Sequence, residues 1–228
     1  MNEERAPVTV LLVDDHAVVR EGYRRLLERA GDLRVVGEAA TAADGYRCAV
    51  QAVPDVVVMD ISLPDVSGIE ALRRLRARLP EARVLMFSIH DEPVFARRAF
   101  AAGAAGYVTK ASAPDVLVDA VRTVARGEPF LGPDVARALA LSGVLGEADD
   151  LAGLSPREFE IARLLAQGCT VREVADRLSL SAKTVANHQS QIRQKLGARS
   201  AVEFIRIATE RGLLGRDAPP SADRNPPG

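Results

Sequence analysis

The sequence predicts a doubly wound α/β domain built on a five-stranded parallel sheet, followed by a small all-α domain. Three observations predict it. Short apolar runs alternate with helix-period segments through the first half of the chain. Several of those runs end on polar or charged residues. Beyond Leu154 every periodic segment is helical and no strand pattern appears. Regular alternation of strand and helix gives a parallel sheet covered on both faces, with its functional edge at the carboxyl ends of the strands.

The strands are expected at 8–13, 33–39, 55–60, 83–88 and 106–109. Val56, Val57, Val58 and Met59 form a continuous apolar run, as a strand buried on both faces does. Between the strands lie amphipathic stretches. Val18, Val19, Tyr23, Leu26 and Leu27, for example, recur at helical spacing. The last helix of the first domain is expected at about 114–126, so that domain spans 7–127. A linker, 128–151, follows and carries one short helix near 133–141. Its stretch "SGVLGEADDLAG" is rich in glycine and acid. The helical domain then occupies 152–214. The tail, 215–228, is rich in Pro, Asp, Ser and Gly and is expected to be disordered.

At 228 residues the chain accommodates two modest domains, and 47% apolar residues suffice for real cores. The formal net charge of -1 gives no sign of a polyanion partner. The segments differ, however. Residues 154–214 hold 10 Lys/Arg against 6 Asp/Glu, whereas 128–153 hold 1 against 5. A mild basic excess on the helical part suits phosphate contact. Cys48 and Cys169 lie far apart without metal-ligand spacing, which fits unpaired residues in a reducing compartment. The first residues are polar and the apolar runs are far shorter than a membrane span. A soluble, cytoplasmic protein without membrane contact is expected.

The first strand ends on Asp14 and Asp15, the third on Asp60. Each acid alone has a bland reading, as a helix cap or a loop acid. Together they mean more. The first and third strands of such a sheet are neighbours and end at the same edge, so the three carboxylates meet. Carboxylates so placed raise one another's pKa, and a hard divalent cation such as Mg²⁺ relieves the repulsion. Ser88 and Lys110 end the fourth and fifth strands at that edge. A carboxylate nucleophile, a cation, a hydroxyl and an ammonium are the parts needed to move a phosphoryl group onto Asp60.

These residues, with Pro64, Gly68 and "GAAGYVTK", resemble the receiver domain of two-component response regulators over about residues 7–127. The resemblance implies a flavodoxin-like fold with Asp60 as phosphoacceptor. It implies Mg²⁺ held by Asp15, Asp60 and the Ser62 carbonyl, with Asp14 acting through water. It implies that Ser88 and Lys110 bind the phosphoryl group and that Tyr107 is the aromatic switch. One departure is Ile89, where many receivers carry a small residue; its bulk is expected to narrow access to Asp60.

In the helical half, Ser155-Pro156-x-Glu158 is a helix start, and Thr170 with Glu173 makes a second capping box. Ser181 caps a longer helix to about Leu196. Two helices joined by a short turn form a helix-turn-helix. Val174, Ala175 and Leu178 face Val185, Ile192 and Leu196 as ordinary packing. The outer face carries Lys183, Thr184, Asn187, Gln191, Arg193, Gln194 and Lys195, with no acid between Ser179 and Leu196. Amides read base edges and cations bind phosphates; a solvated helix face is the plain alternative. His188 lies near the apolar stripe and reads first as a core-edge histidine.

"LSPRE", "GCTVREVADRLSLSAKTV", His188, "KLG" and "ATERGLL" resemble the LuxR-type helix-turn-helix domain. The resemblance places His188 with the DNA-binding set. Ala186 stands where relatives often have Lys, so Asn187 and Lys183 carry more of the readout. A receiver followed by this domain is similar to the NarL/FixJ class of response regulators. That implies a transcription factor rather than an enzyme. It implies that a sensor histidine kinase phosphorylates the chain and that the chain binds double-stranded DNA. It implies a homodimer when active, with RNA polymerase a further partner the class admits. Ala201, Val202, Ile205 and Ala208 on the last helix are the candidate dimer face, with packing inside their own domain the equal alternative. Two alternatives stand beside this reading: a regulator that works by protein contact without phosphorylation, and a metal-dependent phosphohydrolase. Against the second, Ser62 stands where a general-acid Asp would follow Asp60.

Overall fold

A computed structural model describes residues 6–144, 153–178, 180–210 and 213. The chain divides into two compact units, Met1–Gly146 and Glu147–Gly228. In the first unit β1 (Val8–Val13), β2 (Leu33–Ala39), β3 (Val56–Met59), β4 (Val84–Ser88) and β5 (Gly106–Thr109) alternate with five helices. These are α1 (Ala17–Arg29), α2 (Ala42–Ala52), α3 (Gly68–Arg78), α4 (Pro93–Ala101) and α5 (Pro114–Ala125). The strand order is β2-β1-β3-β4-β5, all parallel, so the order reverses between β1 and β3. In register, Val13 lies opposite Met59, which brings the residues that follow both strands to one edge.

Among the described residues the sheet has six strands rather than the expected five. β6 (Phe130–Leu131) pairs parallel with β5, Gly106 opposite Phe130 and Tyr107 opposite Leu131. Two residues are too few for a period of two to register, and they fall in the stretch read as linker. α6 (Pro133–Val144) follows and runs three residues beyond the expected end. Ser142 and Gly143 look like linker residues, yet a glycine in a helix interior costs only about 1 kcal/mol relative to alanine.

Alternation along the strands splits the core. Val10, Leu12, Val56, Val58, Leu85, Phe87 and Val108 pack against Leu27 of α1 and Leu117, Val121 and Val124 of α5. The intervening residues face the other layer; Val13, for instance, lies under Gly45 of α2 so closely that a side chain there would touch it. β3 and β4 are buried throughout, which explains why their sequences are continuous apolar runs.

The second unit is helical: α7 (Pro156–Ala166), α8 (Val171–Arg177), α9 (Ala182–Leu196) and α10 (Ala201–Glu210). Both expected capping boxes are present, Ser155 with Glu158 and Thr170 with Glu173. Ser181 caps α9, and Gly197 ends it at φ 69°, a conformation that favours glycine. Val174, Val185, Ile192, Leu196, Phe204, Ile207 and Ala208 form the buried interior with Phe159 and Ile161. Among the described residues no helix is long and apolar enough to cross a membrane. Ser179 and the tail 215–228 lie outside the described residues.

Candidate metal centre and nucleic-acid interface

The carboxyl edge of the sheet brings Asp14, Asp15 and Asp60 together. One ligand atom from each, with one from His16, falls within 4.8 Å of the others. Asp60 follows the buried β3, and its backbone N–H donates to the Val13 carbonyl at 2.9 Å, which fixes its backbone at the sheet edge. Asp14 and Asp60 are buried. Lys110 crosses the pocket, its Nζ donating at 2.6 Å to both Asp14 Oδ2 and Asp60 Oδ2. Burial pushes the Asp60 carboxyl up, against the opposing pull of the Lys110 ammonium. Burial would depress Lys110, but its two carboxylate partners more than offset this and hold it up.

The residues fit a hard divalent cation. Asp15 Oδ1 is enclosed and accepts no hydrogen bond, although His16 Nδ1 approaches it to 2.7 Å. Three carboxyl groups face the Lys110 ammonium in this pocket. Such a set of oxygens with an orphaned lone pair matches oxygen-ligated cations.

The loop after β3 is shaped by two contacts. A Cβ on Gly68 would stand 1.9 Å from the Asp60 carbonyl oxygen, so the backbones can approach only with glycine there. Asp65 accepts from Ala42 N and Ala43 N at 2.9 Å each, tying the loop to the start of α2. Burial opposes ionisation of Asp65, yet those N–H groups hold its carboxyl below the usual range. The Ser62 N–H donates to Asp60 Oδ1 at 3.2 Å.

Ser88 ends β4 fully buried, as the sequence places it, and its Oγ accepts from His90 N at 3.2 Å. Tyr107 is fully buried, and its hydroxyl donates to the His90 carbonyl at 2.8 Å. Burial pushes the Tyr107 phenol far up. The pocket therefore includes a residue that sequence reasoning missed. His90 is buried, stacks on Phe95 at 4.0 Å, and puts Nε2 3.2 Å from Ser62 Oγ. No period or motif marks it, because its role comes from three separate segments meeting. His16 was missed too, although its place directly after Asp15 was a visible signal. Ile89 is 66% exposed, so its bulk is directed largely into solvent.

On α9, Lys183, Asn187, Gln191 and Gln194 recur at spacings of four, four and three and are all exposed. Thr184, His188 and Arg193 are half-buried beside them. Nδ1 of His188 and Nε of Arg193 are enclosed without a hydrogen-bond partner. Burial pushes the His188 imidazole down, as a core-edge position implies. Lys195, expected on the same face, is exposed, and its ammonium also donates to Glu158 Oε2 at 2.6 Å, inside the unit. On α10, Val202 is 79% exposed and Ile205 45%, whereas Ala208 is fully buried and packs inward.

The comparisons with known proteins agree with this geometry. Residues 10–122 match the family described as response regulator receiver domain, and 152–208 match bacterial regulatory proteins of the luxR family. The response regulator UvrY of Escherichia coli (strain K12) is 38% identical over 213 residues, 92% of this chain and 97% of that protein. A LuxR-family two-component response regulator from Aurantimonas sp. SI85-9A1 is 47% identical. It covers 61% of this chain and 99% of its own, with a TM-score of 0.60. RcsB from Salmonella enterica serovar Typhimurium, bound to promoter P1flhDC in the presence of the phosphomimetic BeF3-, is 27% identical. It covers 89% of this chain and 98% of its own, with a TM-score of 0.61. The chain belongs to the NarL/FixJ class of two-component response regulators, transcription factors that join a receiver domain to a LuxR-type DNA-binding domain.

Proposed function

We propose that Asp60 is the phosphoacceptor and that a sensor histidine kinase supplies the phosphoryl group. The observation that carries this is the Asp60 carboxylate itself, buried at a rigid sheet edge with Lys110 Nζ at 2.6 Å. An Asp60 oxygen attacks the phosphorus of the donor. A new P–O bond forms to Asp60, the donor's bond to phosphorus breaks, and the electron pair leaves with the donor group. Lys110 and Ser88 would bind the transferred phosphoryl oxygens. Asp14, Asp15, Asp60 and the Ser62 carbonyl would hold Mg²⁺, which offsets phosphoryl charge when bound. Tyr107 reports the state of the pocket through the segment it shares with Ser88 and His90.

The chain acts in the cytoplasm as a transcription regulator rather than an enzyme. Lys183, Thr184, Asn187, His188, Gln191, Arg193 and Lys195 form its DNA face with Gln194, and Lys195 also pairs with Glu158. The class to which it belongs and the RcsB complex with promoter DNA favour this over a solvated face. RcsB dimers are described bound to DNA, and the exposed Val202 and Ile205 suit a dimer of this chain. RNA polymerase is the downstream partner of such a complex.

The test is intact mass after incubation with acetyl phosphate and Mg²⁺, beside Asp60→Asn. One phosphoryl group on the wild type and none on the variant is the expected result. No adduct on a folded wild type would overturn the reading in favour of control by protein contact.

A further inference from the structure

The end of β5 carries an attachment that the pocket chemistry does not use. Thr109, fully buried and next to Lys110, donates through Oγ1 to Asp134 Oδ2 at 2.5 Å. The Ser112 hydroxyl lies 3.0 Å from Thr109 Oγ1 and 3.3 Å from Asp134 Oδ2, so it donates to one or the other. Two residues earlier, Gly132 N donates to the Tyr107 carbonyl at 2.8 Å. A Cβ on Gly132 would stand 2.9 Å from Asp134 Oδ1, and Val135 beside it is fully buried. The β6–α6 segment thus grips β5 at Tyr107 and at Thr109, the residues on either side of Val108 and directly before Lys110. α6 is also the last described helix before the helical unit.

We propose that Asp134 is a positioning residue that ties α6 to the Lys110 loop, so that phosphoryl uptake at Asp60 changes how α6 is held. The proposal rests on Asp60 being the phosphoacceptor. Before uptake, Lys110 Nζ is fixed by two carboxylates at 2.6 Å. A phosphoryl group on Asp60 presents new oxygens to that ammonium, and the loop bearing it must adjust. Thr109 and Ser112 move with the loop, and a hydrogen bond to an ionised acceptor is sensitive to donor position. Asp134 converts that adjustment into a change at the start of α6.

The experiment compares hydrogen exchange of the 133–144 segment in the full chain, with and without acetyl phosphate and Mg²⁺. Intact mass is read on each sample. The variants are Asp134→Asn, Thr109→Val and Thr109→Ser. In the wild type, phosphorylation should change exchange of this segment by about fivefold or more, the effect of altering one charge-assisted hydrogen bond. In Asp134→Asn and Thr109→Val that difference should fall below about twofold while one phosphoryl group is still taken up; Thr109→Ser, which keeps the donor, should behave as the wild type. Exchange in the wild type indifferent to phosphorylation overturns the proposal. So does a wild-type difference in either donor-less or charge-less variant, or lost uptake in Asp134→Asn alone. No adduct on the wild type overturns the phosphoacceptor reading instead.

Discussion

At Gly68 a single hydrogen in place of a methyl decides whether the pocket forms. A Cβ would stand 1.9 Å from the Asp60 carbonyl oxygen, and backbone cannot retreat from it without moving Asp60, the proposed phosphoacceptor. Gly68→Ala is expected to cost about 3 kcal/mol, at the upper end for overpacking, and to slow phosphoryl uptake. A urea melt and the labelling rate check both, and an unchanged melting midpoint would contradict the close approach. Glu158 carries a different lesson. It accepts from Ser155 N at 2.7 Å and from Lys195 at 2.6 Å. Burial raises its carboxyl, but those two partners more than offset this and hold it below its ordinary value near 4.5. A group depressed in the folded state contributes stability that is present above the unfolded value and lost as pH falls through the folded one. The helical unit should therefore weaken below about pH 4.5, and Glu158→Gln should flatten that slope while costing about 1–2 kcal/mol at neutral pH. Thermal melts of both chains between pH 3 and 7 decide it.

Among the elements, α9 separates a packing face from an exposed polar face. Val185, Ile192 and Leu196 fill the interior, and Lys183, Asn187, Gln191 and Gln194 stand exposed along another stripe. Lys183→Ala should lower affinity for duplex DNA and reduce the slope of log K against log salt by roughly one unit, as loss of one phosphate contact does. Asn187→Ala should relax base preference by about 1–3 kcal/mol at one position, with little change in nonspecific binding. Titrations on a random-sequence duplex at several salt concentrations test the first, and selection from a random library tests the second. A uniform loss with Asn187→Ala would place that residue on phosphate instead.

At the scale of the molecule, two units each have a core of their own. A separate core is what lets a domain fold alone. Residues 147–228 expressed by themselves should melt cooperatively as a helical protein and keep the Glu158–Lys195 pair. Circular dichroism would show it, and a non-cooperative melt would mean the second unit depends on the first.

The sequence carries the βα alternation, five of the six strands described, both capping boxes and the residues at the acidic edge. Each depends on chemistry that is local or periodic: a buried strand must be apolar, a helix start needs a cap, and Asp60 follows the run that positions it. It also placed Asp14, Asp15, Asp60, Ser88 and Lys110 at one edge, because a parallel sheet puts the ends of its strands together. Contacts between residues far apart in the chain are another matter, since local pattern does not encode them. β6 is too short to have a period. His90 acquires its neighbours only when the ends of β3, β4 and β5 meet. Asp134 reaches Thr109 across 25 positions, and Lys195 is drawn to Glu158 across 37. Ala208, placed by spacing on the exposed stripe of α10, is fully buried. Periodicity reports which residues share a face, but the partner that covers that face, or pairs with a charge on it, exists only once the chain has closed on itself.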